Sequence, residues 1–178
     1  MSKITIVSGS PSEQTRLNGV LDYVFQYVQQ PGNTAEVIQV RSLPAEDLIH
    51  ANFASPSILA ANQKVEDSEV LVILTPVYKA SYTGVLKTYL DLLPQNSLEH
   101  KRILPIAVGG SFGHLLMIDY ALKPVLAALG ATHILKGAYI VDSQIKKLEN
   151  NKYELVHEAK QRLEQSLQSL TNVITTTV

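Results

Sequence analysis

The stretch Val70-Leu71-Val72-Ile73-Leu74, running into Thr75-Pro76-Val77-Tyr78-Lys79-Ala80-Ser81-Tyr82-Thr83-Gly84, decides the fold. The first five residues are apolar without alternation, as in a parallel strand covered on both faces. The next ten form a loop that ends where helical spacing begins, over Gly84–Leu93, and Pro94 stops that helix. A fully buried strand feeding a helix through a loop is the repeating unit of an α/β sheet.

The unit recurs on both sides of this stretch. Ile4–Ser8 reads as a strand and Arg16–Gln29 as a helix, with Leu17, Val20, Leu21, Val24, Phe25 and Val28 at helical period. Glu36–Val40 reads as the second strand. Pro44 to Pro56 reads as a loop region, with a short helix around Ser57–Lys64. Arg102–Val108 is the fourth strand, His114–Leu129 a helix closed by Gly130, and Lys136–Val141 the last strand. Tyr153–Val173 reads as an amphipathic helix with Leu155, Ala159, Leu163, Leu167 and Leu170 on one face, and Thr175–Thr177 fray. Five strands alternating with helices predict a doubly wound, flavodoxin-like α/β sheet of order 2-1-3-4-5, as one domain over residues 1–178. In such sheets ligands bind outside the carboxyl ends of the strands at the switch point. The loops after strands one, three and four are therefore the ones to inspect.

Composition narrows the function. The 178 residues carry 15 Lys and Arg against 16 Asp and Glu, so the formal charge of −1 gives no reason to expect nucleic acid or a membrane as partner. Cysteine is absent, which removes disulfides, thiolate metal sites, cysteine nucleophiles and iron–sulfur clusters. The apolar run after Met1-Ser2-Lys3 is too short for a signal peptide, and no stretch approaches the roughly 20 apolar residues of a membrane span. The expectation is a cytoplasmic protein.

The first loop, Ser8-Gly9-Ser10-Pro11-Ser12-Glu13-Gln14-Thr15-Arg16, lacks the Gly-Lys-Ser/Thr of a Walker loop and the G-x-G-x-x-G of a dinucleotide fingerprint. It offers the hydroxyls of Ser10, Ser12 and Thr15, the Arg16 guanidinium and a helix start, which together suit a phosphate monoester. A capped helix start with a solvated arginine is the plainer reading. The second loop places Tyr78 and Tyr82 at the sheet end, where they could pack on a flat heterocycle or simply cover the strands. The third loop, Gly109-Gly110-Ser111-Phe112-Gly113-His114, lets backbone approach a ligand closely. His114 alone reads as a helix-start residue, and no second His stands at metal-ligand spacing. The helix that follows is apolar nearly all round, so it is expected in the core or against another subunit. Pro124 in its interior robs the Tyr120 carbonyl of its partner and predicts a kink or π-type turn near Tyr120.

Several of these segments resemble one family. Gly9-Ser10-Pro11, Thr75 through Lys87, Asp91-Leu92-Leu93-Pro94, Gly109-Gly110-Ser111 through Leu116, and Asp119-Tyr120-Ala121-Leu122-Lys123-Pro124 are similar to the NADPH-dependent FMN reductases of alkanesulfonate utilisation. The likeness runs from about Lys3 to Ile145. It implies FMN phosphate in the first loop, on Ser10, Thr15 and Arg16. The flavin ring would lie between Pro76, Val77, Tyr78 and Lys79 on one side and Gly109, Gly110 and Ser111 on the other, with His114 nearby. It further implies dimers or tetramers, with Tyr120 in a π-helix at the subunit interface. Where the family often reads Ser-Arg-Ser, this chain has Thr15-Arg16-Leu17. Leu17 cannot donate a hydrogen bond, and Asn18 is the candidate substitute.

The implied reaction passes a hydride from NADPH, or NADH, to flavin N5, with no obligatory acid–base side chain and with reduced flavin leaving to supply a monooxygenase. Two other readings share the fold: a reductase of quinones, azo or nitro compounds with bound FMN, and a flavodoxin-type electron carrier. The near-zero net charge argues against the carrier.

Overall fold

The computed structural model describes residues Ser2 to Thr171. Its strands are β1 (Ser2–Ser8), β2 (Asn33–Gln39), β3 (Val70–Pro76), β4 (Arg102–Gly109), β5 (His133–Ile134), β6 (Ala138–Val141), β7 (Ile145–Lys147) and β8 (Tyr153–Leu155). Its α-helices are α1 (Leu17–Val28), α2 (Ala45–Ile49), α3 (Pro56–Glu66), α4 (Gly84–Leu90), α5 (Lys123–Ala128) and α6 (His157–Thr171). The main sheet is parallel, in the order β2-β1-β3-β4-β5, and β6 also pairs with β4. This is the predicted flavodoxin-like order.

The uniform apolar run of β3 serves both faces at once. Val70, Val72 and Leu74 pack with α1 and α6, while Leu71 and Ile73 pack with α3, α4 and the segment around Ile118. Each layer buries a stripe of helix against alternate strand residues. Truncating one such contact, Leu163 for example, would cost about 2–5 kcal/mol.

The last strand is split, and Pro105 accounts for the split. Odd-numbered residues of β4 turn their backbone groups toward the β5–β6 side, since the Ile103 carbonyl accepts from Leu135 N–H at 2.9 Å. Pro105 faces the same side and has no N–H to give. Between the pairs Ile103↔Ile134 and Ile106↔Ala138, the edge strand carries one residue more than β4, which is a bulge. Gly137 closes it at φ +89°, where a Cβ would stand 2.6 Å from the Pro105 carbonyl oxygen. The predicted strand Lys136–Val141 thus loses Lys136 and Gly137 to the bulge.

Other boundaries also move. Strand two begins at Asn33 instead of Glu36, and Val40 turns into a 3-10 segment. The expected loop from Pro44 contains α2, which seats Leu48 in the core. Tyr153–Leu155 is not the start of the last helix; it pairs antiparallel with Ile145–Lys147, and Leu155 fills the core from that hairpin. Helix α6 begins at His157, and the predicted extension to Val173 lies outside the described residues, as do Thr175–Thr177. The helix expected over His114–Leu129 is three pieces: a 3-10 turn at Phe112–His114, a π-helix at Ile118–Leu122, and α5. The π-turn falls where Pro124 removes the donor to Tyr120, and Lys123 N–H reaches back five residues to the Ile118 carbonyl. Burial all round is not observed, because Leu115, Leu116 and Tyr120 are exposed within the protomer.

Tyr23 ties α1 to α6 by donating its phenol proton to Glu164. Burial, then that hydrogen bond and the Glu164 charge, push its pKa up to about 12. The unfolded chain releases this proton near 10 while the folded chain keeps it, so stability falls as pH rises between about 10 and 12. Urea midpoints measured from pH 9 to 11 should decline in the wild type and decline less steeply in Tyr23→Phe. Parallel declines would show that this phenol does not contribute.

Candidate functional site

Register brings three loops to one level. Ser8 stands beside Leu74, Pro76 beside Val108, and Gly109 beside Val141. A cavity of about 400 Å³ opens at these carboxyl ends, within the range of small-molecule sites. The first loop contributes Ser12, Gln14, Thr15 and Arg16; the second contributes Pro76, Val77 and Tyr78. Val108, Gly109 and Asp142 form the floor, and Lys147 and Tyr153 of the β7–β8 hairpin form a further wall. A second cavity of about 370 Å³ lies between α6 and the bulged sheet edge, away from the switch point.

The loops are held by the protein's own hydrogen bonds. Gly9 N–H donates to the Leu74 carbonyl at 2.8 Å, extending the sheet by one residue. Thr83 donates its hydroxyl to the Gly9 carbonyl, and the same oxygen caps α4 by accepting from Leu86 N–H. Ser10, 1% exposed, accepts from Ser12 N–H and donates to the Ser12 carbonyl, so its hydroxyl shapes the loop from within. Asn18 does the same from outside, donating Nδ2 to the Glu13 carbonyl at 2.6 Å. Leu17, the residue that cannot donate, points into the core. Arg16 gives its Nε–H to the Ile145 carbonyl at 3.2 Å, which leaves the outer fork of the guanidinium for the cavity it lines.

The second loop contains a tight two-residue turn. Tyr78 and Ser81 exchange backbone hydrogen bonds at 2.9 and 3.1 Å around Lys79 (φ +49°) and Ala80 (φ +62°). Left-handed backbone at two successive non-glycine residues is strained. In the third loop Gly109 is required by a neighbour: a Cβ there would stand 2.1 Å from Tyr139 Oη, which donates to the Ser111 carbonyl at 2.8 Å. Gly110 faces open space. Burial and the nearby Asp142 carboxylate raise the Tyr139 pKa, so the phenol keeps its proton for that bond.

Of the residues expected from sequence, the cavity gathers Thr15, Arg16, Pro76, Val77, Tyr78 and Gly109. Lys79, Gly110, Ser111 and His114 are exposed and lie outside its lining, as does Tyr120. Sequence reasoning missed Gln14, Asp142, Lys147 and Tyr153. A signal for the last two was present: Asn150-Asn151, both at φ +56°, is a turn pair between two short strands.

Fold and site define a flavodoxin-like α/β protein with a ligand cavity at its switch point. Residues 2–146 match the family model described as NADPH-dependent FMN reductase. An FMN reductase (NADPH) of Pseudomonas putida is 46% identical over 93% of this chain and 85% of its own. One of Escherichia coli K12 is 41% identical over 80% of this chain and 75% of its own. A solved structure of an NADH:FMN oxidoreductase in its apo form superposes with a TM-score of 0.81 at 30% identity, over 95% of this chain and 90% of that one. The chain belongs to the NADPH-dependent FMN reductase family. It is an oxidoreductase whose small molecules are FMN and NAD(P)H.

Two substitutions test the loop geometry. Ala80→Gly should relieve the left-handed strain and raise stability by about 1 kcal/mol, read as a higher Tm. Gly109→Ala should lower stability by about 1–3 kcal/mol, with part of the loss recovered when Tyr139→Phe removes the clashing oxygen. An unchanged Tm in Gly109→Ala would mean that the third loop moves aside without cost.

Proposed function

We propose that the protein binds FMN as a substrate at this cavity, reduces it with NADPH, and releases it reduced to a flavin-dependent monooxygenase of the alkanesulfonate type. The observation that carries this reading is the polarity of the cavity. One end offers Ser12, Thr15 and Arg16; the other offers Pro76, Val77, Tyr78 and the side-chain-free Gly109. The first end suits a phosphate and the second a flat apolar ring, so the donor set fits FMN. Ser10 and Asn18 hold the loop that presents the phosphate donors. Lys79, Gly110, Ser111 and His114 follow the ring-end residues in the second and third loops and are exposed, and we assign them to meeting the nicotinamide.

When bound, the flavin supplies the hydride chemistry at N5. The chain's contribution is orientation. Pro76 and Val77 continue β3 into the site, and Val77 N–H donates to the Val108 carbonyl at 2.8 Å, which fixes the ring wall to the sheet. No side chain of the cavity is assigned a proton transfer. The site is built from loops and is open on one side, which suits a flavin that leaves.

The exposed Leu115, Leu116 and Tyr120 support association as a homodimer or homotetramer through the π-helix segment. The helices and the one main sheet share two continuous apolar layers, which supports reading the chain as one domain. No helix of the described residues is long and apolar enough to cross a membrane, and we place the protein in the cytoplasm.

The test is aerobic NADPH oxidation by flavin-stripped protein with FMN titrated from zero. Saturable turnover that requires FMN in excess over enzyme is the expected result. If stoichiometric FMN suffices but turnover needs an added quinone or dye, the flavin is a prosthetic group and the supply role is wrong.

A further inference from the structure

We propose that Lys147, carried by the β7–β8 hairpin, is the second cation for the flavin phosphate and sets a preference for FMN over unphosphorylated riboflavin. This rests on the flavin reading above. The hairpin lies beyond the loops that define the switch point, yet three contacts seat it against the end of the first loop, α1 and the layer they share with α6. The Ile145 carbonyl accepts from Arg16 Nε. Gly19, in the first turns of α1, leaves room for Tyr153, whose Cβ would stand 2.6 Å from a Cβ at that position. Ile145 and Leu155 are buried in the layer that holds α1 and α6. The hairpin is thus a fixed wall.

Lys147 and Tyr153 are direct partners across this antiparallel pair, so their side chains share one face. Both line the cavity alongside Thr15 and Arg16. Lys147 makes no ion pair or hydrogen bond among the described residues, although Asp142 lines the same cavity. Asp142 follows β6, whose last residue pairs with Gly109, so it joins the cavity from the end of β6 and not from the hairpin.

Charge balance supplies the reason for a second cation. A phosphate monoester carries about −1.5 to −2 at neutral pH. Arg16 brings one positive charge, and one of its donors is already committed to Ile145. The first loop contains no other Lys or Arg, since Ser8 through Thr15 offer hydroxyls, one amide and the Glu13 carboxylate. Lys147 is the remaining cationic side chain of the cavity lining. A flexible ammonium suits a terminal phosphate, which needs a point charge more than a planar fork.

The test is a fluorescence-quenching titration of the flavin-stripped protein with FMN and, separately, with riboflavin. Lys147→Gln should weaken FMN binding roughly tenfold, the worth of one charge-assisted contact, and leave riboflavin binding unchanged. Lys147→Arg should retain most of the FMN preference. The salt dependence of FMN affinity should flatten in Lys147→Gln. Equal weakening of both flavins would assign the lysine a structural part in the hairpin and overturn the proposal. So would an unchanged FMN-to-riboflavin ratio, or a loss seen only as NADPH against NADH discrimination, which would place the lysine on the 2′-phosphate of the NADPH adenosine ribose. Wild-type protein that binds neither flavin would overturn the flavin reading itself, an outcome distinct from an unchanged ratio.

Discussion

Burial of β3 on both faces is the constraint from which the site follows. A strand with no wet face must sit in the middle of a parallel sheet, with β1 on one side and β4 on the other. Parallel pairing in fixed register then sets the carboxyl ends of all three strands level. Slipping any of them by one residue would turn its apolar side chains into the wrong layer. The level ends deliver Gly9, Pro76 and Gly109 to one place, and the loops that leave them have no choice but to surround a common space. The cavity is a consequence of the core.

Those loops are not left for a ligand to organise. Thr83 joins the first loop to the start of α4, Ser10 closes the first loop on itself, and Tyr139 holds the third by the Ser111 carbonyl. Each bond ties a buried hydroxyl to a loop backbone carbonyl. The hydroxyls that look free in a list of loop residues are in several cases already engaged. What remains for a ligand is a smaller set: the outer fork of Arg16, Ser12, the hydroxyl proton of Thr15, whose oxygen already accepts from Leu17 N–H, and the hairpin's Lys147 and Tyr153. The same economy appears at the open edge of the sheet. The carbonyls of Gly137 and Tyr139 accept from Ser166 and Arg162 of α6, which closes the edge against another strand.

Two prolines shape the half of the molecule after β4. Pro105 withholds a donor from the edge strand and Pro124 withholds one from the helix. The first produces the bulge at Gly137, and the second the π-turn at Ile118–Leu122, with the Lys123–Asp119 ion pair across it at 2.6 Å. The π-turn turns Tyr120 out to 79% exposure, together with Leu115 and Leu116. An apolar segment therefore stands on the surface of the protomer, where a helix apolar nearly all round was expected in the core or against another subunit.

The strand order, the identity of the three site loops and the π-turn at Tyr120 were legible in the sequence because each depends on local chemistry: an unbroken apolar run, a strand-to-helix loop, a missing N–H. Arg16 was picked out by its place at the start of α1, and Pro76, Val77, Tyr78 and Gly109 by the loops after strand ends and the family resemblance; the cavity lining gathers all five. The hairpin left only its Asn150-Asn151 turn pair as a signal, because three-residue strands are too short to show a period, and Tyr153-Glu154-Leu155 continues the helical spacing of Ala159 and Leu163 by chance. Its placement on α1 depends on Gly19 and Arg16, more than 125 residues away in the chain. Likewise only the folded structure decides that Ser10 and Asn18 brace the loop while Lys147 faces the cavity. A hydroxyl or ammonium in a sequence states what it can donate; which acceptor it reaches is fixed by packing between elements distant in the chain.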